Sequence, residues 1–352
     1  MKNFWQTIPK PFFVVAPMAD VTDAAFRRML ATYGKPDVMW TEFVSADGLA
    51  LAPEEGRKKL LADLIYDDEE RPIVAQLFSS NEDHMEAAAR LCAELGFDGI
   101  DINMGCPDRS IEKQGCGSAM IKTPHVAKKI IQAAKRGAPN LPISVKTRAG
   151  YNEDEIATWI PALLKERPAA LTLHARTRKE MSKVPADWNR VARVVALRDE
   201  ISPETVIIGN GDVLSLEDAR QKITQSGADG AMVGRALFGN PWFFNKNQSL
   251  PHQLHTLPTH GVDREKIISA DTSRSDIEYI TIEERLRVLI EHSKLFVELL
   301  PHKSFNVMKK HYKAYVNGFP NAAQLRGQLM EQSDPAGVEA VVHEFLRLNS
   351  TN

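Results

Sequence analysis

The sequence predicts an α/β fold, a TIM (β/α)8 barrel followed by a small C-terminal helical domain. Eight short apolar runs alternate with longer segments of helical periodicity between residue 12 and about residue 235, the pattern of repeated βα units. A chain of 352 residues can form one barrel and an appended domain. An open doubly wound sheet is disfavoured, because APMADVTD stands where a GxGxxG turn would follow the first strand.

The eight predicted strands are short, apolar and separated by segments long enough for a helix. In chain order they are FFVVAP from residue 12, DVMWTEF from 37, PIVAQLF from 72, FDGIDIN from 97, PISVKTR from 142, AALTLHA from 169, TVIIGNG from 205 and DGAMVGR from 229. Eight βα units in one chain indicate a closed barrel.

After the eighth strand the periodic pattern ends. Residues 246–280 are polar and interrupted by Pro and Gly, which predicts a linker between a barrel domain at 1–245 and a helical domain at 281–352. Thr281 and Glu284 have the spacing of a capping box, and apolar residues follow at helical spacing as far as Leu300.

Composition and charge limit the class of protein. No apolar run approaches the length of a membrane span, and the N-terminus lacks the pattern of a secretory signal. We therefore expect a cytoplasmic protein, a monomer, with no membrane partner. The formal net charge of −2 does not exclude nucleic acid, because a local basic patch is enough to bind it.

Polar residues gather where the predicted strands end. In a TIM barrel these carboxyl ends and the following loops carry the binding and catalytic groups. The candidates, in chain order, are Pro17, Met18, Glu42, Gln76, Asn103, Cys106, Lys146, Arg148, His174, Arg176, Arg178, Asn210, Gly211, Asp212, Gly234 and Arg235. A purely structural barrel has no need of this collection, which predicts an active site. No second His or carboxylate shares a ligand spacing with His174, so we expect no metal.

Two features of this edge indicate an anionic ligand. GNGD and VGRALFGNP place glycines after strands seven and eight, where TIM barrels often bind phosphate through backbone N–H groups. Lys146, on strand five, would be a partly buried cation that requires an anion. The alternatives are that the glycines only form tight turns and that Lys146 pairs with Glu42 or Asp101 inside the protein.

The three cysteines differ in their predicted surroundings. Cys106 lies in a turn between Gly105 and Pro107, so its thiol should face the strand ends. Cys92 lies on an apolar helix face and is most simply a small core residue. Cys116, in the same loop as Cys106, is the competitor for a chemical role. The three are too few and too irregularly spaced for a disulfide framework or a zinc site.

With these residues assembled, the sequence resembles the tRNA-dihydrouridine synthases, flavoenzymes that reduce specific uridines in tRNA. The resemblance covers nearly the whole chain. It is carried by APMADVTDAAFR, VAQLFSS, DGIDINMGCPD followed by GSAM, VKTRAGY, LTLHARTR, VIIGNGDV and DGAMVGRALFGNPWFF. Ala175 stands where the family more often has Gly, and KEMSKVPADW lacks the Gln and aromatic residue often found there.

The resemblance implies FMN as cofactor and NADPH as reductant. The phosphate of FMN would bind backbone groups of Asn210, Gly211, Asp212, Gly234 and Arg235, and its ring would contact Pro17, Met18, Gln76, Lys146 and His174. Hydride would pass from flavin N5 to C6 of the uracil, and Cys106 would donate a proton to C5 as general acid. Asn103, Arg148, Arg176 and Arg178 would bind the substrate.

The helical domain is expected to bind tRNA. PHKSFNVMKKHYKAYVNGFPNAAQLR, residues 301–326, contains no Asp or Glu. Its basic and aromatic residues suit phosphate contact and base stacking; they are Lys303, Lys309, Lys310, Lys313 and Arg326, with His311, Tyr312 and Tyr315. A solvated helix face is the structural alternative.

Two other functions remain open from the sequence. One is an FMN-dependent oxidoreductase of a small molecule, similar to dihydroorotate dehydrogenase, which has no use for a basic helical domain. The other is a catalytically inactive barrel that binds tRNA, which the complete set of polar residues at the strand ends disfavours. The uridine position that is reduced cannot be deduced from the sequence.

Overall fold

Eight parallel strands form the sheet of the first part of the protein, in a computed structural model that describes residues 3–245, 248–249 and 278–349. The strands are β1 (Phe12–Val15), β2 (Met39–Ser45), β3 (Ile73–Phe78), β4 (Gly99–Met104), β5 (Ile143–Arg148), β6 (Ala170–His174), β7 (Val206–Asn210) and β8 (Gly230–Val233). Each predicted run overlaps one of them, and only β2 and β4 extend past the end of the run, by two residues and one residue. Their order in the sheet is β1-β8-β7-β6-β5-β4-β3-β2.

The register of the first and last strands closes the sheet on itself. β1 pairs with β8 from Phe12 opposite Gly230 to Val15 opposite Val233. The pairing of β1 with the chain leading into β2 is less extensive and consists of one β-bridge between Val14 and Val38. The TIM barrel predicted from the sequence is therefore confirmed.

Helices connect successive strands, as right-handed parallel crossovers require. They are α1 (Ala24–Tyr33), α2 (Ala46–Leu51), α3 (Glu54–Ala62), α4 (Glu82–Glu94), α5 (Arg109–Glu112), α6 (Pro124–Gly137), α7 (Ile156–Leu164), α8 (Asn189–Ile201) and α9 (Leu216–Ser226). Local chemistry sets their ends: the Asn81 side chain accepts from the His84 N–H at the start of α4, and Gly227 ends α9 with φ +71°.

Large side chains fill the barrel near the amino ends of its strands. Trp5, in the short 3-10 helix Phe4–Gln6, packs against Phe12 and Trp40 with ring centroids 5.7 and 5.6 Å away. All three are essentially fully buried, and they join an apolar cluster that includes Val74 and Ile208. Because this end is packed with apolar groups, the polar groups of the barrel are left at the carboxyl ends.

The chain divides into two compact units. Unit 1 comprises Met1–Arg28 and Pro36–Ala236, and unit 2 comprises Met29–Lys35 and Leu237–Asn352. The boundaries predicted from the sequence remain a prediction. Most of the predicted linker at 246–280 lies outside the described residues, apart from β9 (Gln248–Ser249), β10 (Glu278–Tyr279) and Ile280.

Unit 2 is helical over its C-terminal part. Its helices there are α10 (Ile282–Leu299), α11 (Lys309–Tyr315), α12 (Ala322–Met330) and α13 (Pro335–Asn349), with the 3-10 helix Phe305–Met308 before α11. Thr281 is the N-cap of α10, and its hydroxyl accepts from the Glu284 N–H at 3.1 Å, as its position in the sequence predicts. Among the described helices, none combines the length and apolar character needed to cross a membrane.

Candidate active site at the carboxyl ends of the strands

The loop after β4 holds the peptide groups of Cys106 on both sides. The Cys106 N–H donates to Asn103 Oδ1 at 2.9 Å, and its carbonyl accepts from the Ser118 N–H at 2.9 Å. Gly117 has φ +59°, and a Cβ at that position would lie 2.6 Å from the Cys106 carbonyl oxygen. Only glycine allows this approach without displacement of the loop. The backbone of Cys106 is thus fixed before any ligand binds.

A chain of side-chain hydrogen bonds across β3, β4 and β5 supports Asn103. The Oδ1 atom of Asn103 accepts from two backbone N–H groups, so its Nδ2 faces Gln76 and donates to Oε1 at 3.1 Å. Gln76 Nε2 then donates to Asp101 at 2.6 Å, and the other oxygen of Asp101 accepts from Ser144 Oγ at 2.6 Å. Burial raises the pKa of Asp101 to about 6. Each amide is therefore held in one orientation.

Lys146 brings a positive charge to the same edge. Its side chain on β5 is half-buried, and burial, followed by the charge of Arg148, lowers its pKa to about 8. Among the described residues its ammonium has no hydrogen bond or ion pair, although Asp101 favours its charged form. The ion pair with Glu42 or Asp101 considered as an alternative is not formed. Glu42, within β2, accepts instead from the Asp20 N–H at 2.5 Å.

Arg148 joins two loops at the strand ends. It is 8% exposed; its Nε donates to the Gly105 carbonyl at 2.7 Å and its Nη1 to the Thr177 carbonyl at 3.3 Å. Burial lowers the pKa of Arg148 to about 10, so it remains charged at neutral pH. Among the described residues, Nη2 donates to no acceptor, and one face of the guanidinium is left for a ligand.

His174 at the end of β6 is neutral and has a defined tautomer. Arg176 Nη1 lies 3.2 Å from His174 Nε2, and because a guanidinium only donates, Nε2 accepts and the proton is on Nδ1. Burial, followed by the charges of Arg148, Lys146 and Arg176, lowers the pKa of His174 well below its usual value.

Arg176 and Asp212 form a buried bridge next to His174. Arg176 is 2% exposed; its Nε donates to the Val184 carbonyl at 2.6 Å and its Nη2 donates to Asp212. The second carboxylate oxygen of Asp212 accepts from Arg235 at 2.5 Å. The side chain of Arg176, predicted to bind substrate, is therefore engaged with protein groups, and Arg176 and Asp212 position His174 and Arg235.

Backbone N–H groups after β7 and β8 suit an anion. Among the described residues, the amides of Gly211, Gly234 and Arg235 donate to no acceptor. Gly211 has φ +123°, and a Cβ there would lie 3.3 Å from His174 Cδ2. Asn210, by contrast, uses its Nδ2 to donate to the Met232 carbonyl at 2.8 Å. The two loops thus offer main-chain donors with the arrangement of a phosphate site.

The three thiols have different surroundings. Cys106 is half-buried, and burial raises its pKa although the Asp108 N–H favours the thiolate. Cys116 is fully buried beside Phe78 and Ile111, and burial raises its pKa to about 11. Cys92, on α4, is also fully buried, so its assignment to the core is confirmed. Of the three, only Cys106 is both accessible and protonated at neutral pH.

Sequence reasoning missed a group that joins the loops after β4, β5 and β6. Arg178, predicted to bind substrate, donates to both carboxylate oxygens of Glu112, and Glu112 also contacts Ser118 Oγ at 2.8 Å. The ring of Tyr151 lies beneath Lys122 Nζ at 4.3 Å and beside the Arg178 guanidinium at 5.1 Å. No local sequence signal marks Glu112, because Arg178 is 66 residues away.

In unit 2 the structure separates the basic residues from the aromatic ones. On α11, Lys310 and Lys313 are exposed and Lys309 is half-buried. His311, Tyr312 and Tyr315 are fully buried, so the prediction that these three stack on RNA bases is wrong. The helical period explains the error: at about 100° per residue, the exposed Lys310 and Lys313 lie on one side of α11, and the three buried rings lie on the other. Arg326 donates to the Val316 carbonyl at 2.8 Å.

Comparison with known proteins gives one consistent family. Residues 14–350 match the family model described as dihydrouridine synthase (Dus). The probable tRNA-dihydrouridine synthase 2 of Bacillus subtilis (strain 168) is 37% identical over 350 residues, covering 98% of this chain and 97% of that protein. The probable tRNA-dihydrouridine synthase of Staphylococcus aureus (strain MRSA252) is 37% identical over 347 residues, covering 98% and 96%. Among solved structures, histamine dehydrogenase from Rhizobium sp. 4-9 has a TM-score of 0.49 at 14% identity, covering 66% of this chain and 45% of that one, a likeness too distant to support an inference.

Proposed function

The chain belongs to the dihydrouridine synthase family, and from that premise we propose which of its residues perform the reduction of uridines in tRNA. The enzyme is a flavin-dependent oxidoreductase that saturates the C5–C6 double bond of the uracil ring. One observation carries our assignment of roles. Cys106 is an accessible thiol whose peptide groups are hydrogen-bonded on both sides, and Asn103, Lys146 and Arg148 lie near it at the barrel edge.

The residues at this edge fit FMN. The free amides of Gly211, Gly234 and Arg235 suit its phosphate. The ammonium of Lys146, which has no ion pair among the described residues, and the neutral ring of His174 suit the polar edge of its ring system. The half-buried Pro17 and Met18 can contact the ring, whereas Gln76, also predicted to contact it, is fully buried and supports Asn103 instead. Asn210 and Asp212 support this site through their bonds to Met232, Arg176 and Arg235. Bound FMN would supply the hydride for C6 of the uracil, and NADPH would be the reductant that restores the reduced cofactor.

Cys106 donates the proton that saturates C5. A thiol whose pKa is raised by burial is protonated at neutral pH, as a general acid must be. The fixed peptide groups restrict the thiol to a small set of positions, so little entropy is lost when it is aligned with a carbon atom. The Asp108 N–H, which favours the thiolate, limits the charge that is left on sulfur after transfer.

Asn103 and Arg148 orient the uracil. Among the residues that the structure describes, Asn103 retains a second Nδ2–H beyond the one it donates to Gln76, and Arg148 Nη2 donates to no acceptor. Both groups are donors, and the uracil ring presents two carbonyl oxygens that accept. Arg176 acts on the substrate only through His174, since its own donors are bound to protein acceptors.

Unit 2 binds the tRNA through phosphate contacts. Lys309 and Lys310 lie at the start of α11, with Lys313 one turn later, and no acidic residue occurs between 301 and 326. This contact can be purely electrostatic, because the aromatic residues of the same helix are buried. We place the enzyme in the cytoplasm and expect a monomer.

The test follows the visible spectrum of the purified protein during anaerobic reaction. Addition of NADPH should bleach the flavin absorbance, and unmodified tRNA should restore it. Recovery with a free pyrimidine and not with tRNA would instead indicate a small-molecule oxidoreductase. A protein that binds tRNA but takes up no FMN would be an inactive RNA-binding barrel.

A further inference from the structure

Four side chains from the loops after β4, β5 and β6 form a connected group that we call the loop clip: Glu112, Ser118, Tyr151 and Arg178. Arg178 Nε donates to Glu112 Oε1 at 3.0 Å, and its Nη2 donates to Oε2. Ser118 Oγ lies 2.8 Å from Glu112 Oε1. The Arg178 guanidinium lies over the ring of Tyr151, 5.1 Å from the ring centroid.

The loop clip is hydrogen-bonded to Cys106, the residue that carries the reactive thiol. The Ser118 N–H donates to the Cys106 carbonyl oxygen at 2.9 Å, and the Ser118 hydroxyl donates its one proton to Glu112. The orientation of Ser118 therefore depends on where Glu112 lies. Glu112 in turn is fixed by a bidentate pair with an arginine of another loop.

The charge state of Glu112 agrees with this arrangement. Its side chain is only 9% exposed, and burial alone would raise its pKa. Hydrogen bonds from Arg178, Ser118 and Tyr151 outweigh burial and lower the pKa of Glu112. An ionised carboxylate that is largely shielded from water forms strong hydrogen bonds with its neighbours. Removal of the Glu112 carboxylate would leave the Arg178 guanidinium without its ion-pair partner.

We propose that Glu112 and Arg178 are positioning residues for Cys106, which they hold through Ser118 at the distance from the substrate that proton transfer requires. The inference deepens the proposed function, because it rests on Cys106 as the proton donor. It also reassigns Arg178, whose guanidinium is committed to Glu112.

The first test is kinetic and compares Glu112→Ala, Arg178→Met and Ser118→Ala. Displacement of a reacting group by about 1 Å costs roughly 100-fold in rate, so we expect kcat for tRNA to fall by about 10- to 100-fold in the first two variants and less in Ser118→Ala. Flavin reduction by NADPH should remain within about twofold. The Glu112→Ala/Arg178→Met double variant should be no worse than the poorer single variant, as for residues that act as a unit.

Glu86→Gln is the matched control. Glu86 pairs with Arg136 at 2.8 Å between α4 and α6, so the change removes a comparable ion pair from the helical layer. It should leave tRNA turnover and flavin reduction unchanged. Glu112→Ala with unchanged tRNA turnover would overturn the proposal, and so would equal losses of tRNA turnover and flavin reduction, which would indicate a general structural role.

The second test reads the position of the thiol without catalysis. Native protein is treated with iodoacetamide, and alkylation of Cys106 is followed by mass spectrometry; Cys92 and Cys116 are fully buried and serve as internal references. Glu112→Ala should alkylate at Cys106 at least about threefold faster than wild type, because a released loop exposes the thiol. An unchanged rate would overturn the proposal. If Cys106→Ala retained full tRNA turnover, the proton-donor role would fail, whereas this rate would still report whether the loop clip holds the cysteine.

Discussion

The loop after β4 brings polar and basic residues close together in the sequence, helix α11 brings basic and aromatic residues together, and the structure uses the two groups in opposite ways. Asn103 at the end of β4 and the Ser118 N–H hold the two peptide groups of Cys106, whose half-buried thiol remains accessible at the barrel edge. On α11, Tyr312 is fully buried two residues after the exposed Lys310. Proximity in sequence indicates a shared site only where the backbone geometry directs the side chains to one side.

The most direct test of this comparison replaces each of the two cysteines of the loop by alanine in turn. We expect Cys106→Ala to lower tRNA turnover by about 10²- to 10⁴-fold while NADPH still reduces the flavin, because only the proton donor is removed. Cys116→Ala should keep turnover near wild type, since its thiol packs in an apolar cluster. Single-turnover reoxidation of the reduced enzyme by tRNA measures both. Loss in Cys116→Ala with full activity in Cys106→Ala would reverse the assignment.

The second prediction concerns the buried face of α11. Tyr312→Ala should destabilise unit 2 by about 3–5 kcal/mol, as truncation of a large buried aromatic residue does. Tyr312→Phe should be neutral or stabilising, because the Tyr312 hydroxyl has no hydrogen-bond partner among the described residues. Chemical denaturation followed by circular dichroism provides the comparison. A stable Tyr312→Ala protein with weakened tRNA binding would instead restore the stacking role.

The third prediction uses the two buried histidines of unit 2. Their rings lie 4.6 Å apart; burial lowers the pKa of His292 well below its usual value, and burial and the Lys310 charge lower that of His311 to about 4. The unfolded chain, with pKa values near 6.5, therefore binds more protons than the folded one, so full stability is present above pH 6.5 and is lost as the pH falls below it. We expect a loss of about 1 kcal/mol for each histidine at pH 5.5.

Thermal melts at pH 7.5 and 5.5 measure this loss. His311→Phe should remove its share of the pH dependence, whereas a variant of the exposed Lys313 should not. A melting temperature of unit 2 that is equal at both pH values would contradict the burial of the two histidines as neutral rings.

The smallest effect is expected on the exposed face of α11. Charge reversal in Lys309→Glu/Lys310→Glu should raise the KM for tRNA by about 10-fold and reduce the slope of log KM against log salt by about 1 to 2, because phosphate contacts are lost. NADPH oxidation should not change. Lys58→Glu/Lys59→Glu, on the exposed helix α3, is the matched control. Equal kinetics in the two double variants would remove α11 from the RNA site.

The sequence predicted those parts of the site that depend on position along a strand. Each of the eight strands was identified, and Lys146, Arg148 and His174 lie where the end of a parallel strand places them. The same reasoning could not identify the partners of Arg176, because its bonds to Asp212 and Val184 depend on loop conformations. It missed Glu112 for the same reason. The sequence predicts the position of a residue when a repeating backbone geometry sets it. It does not predict a side-chain contact between residues that are far apart in the chain.

The hydrogen bond of Tyr33 joins two parts of the chain that are made at different times. Its hydroxyl donates to Glu291 at 2.6 Å, across 258 residues of chain, and both residues belong to unit 2. Burial and Glu291 raise the pKa of Tyr33 to about 12, so the hydroxyl keeps its proton at neutral pH. On the ribosome, Glu291 is made 258 residues after Tyr33, so this bond cannot form until roughly 13–50 s after Tyr33 is made, at about 5–20 residues per second. The helical unit is therefore not a module that can be detached by cutting the chain once: it is completed by a segment made near the start of translation.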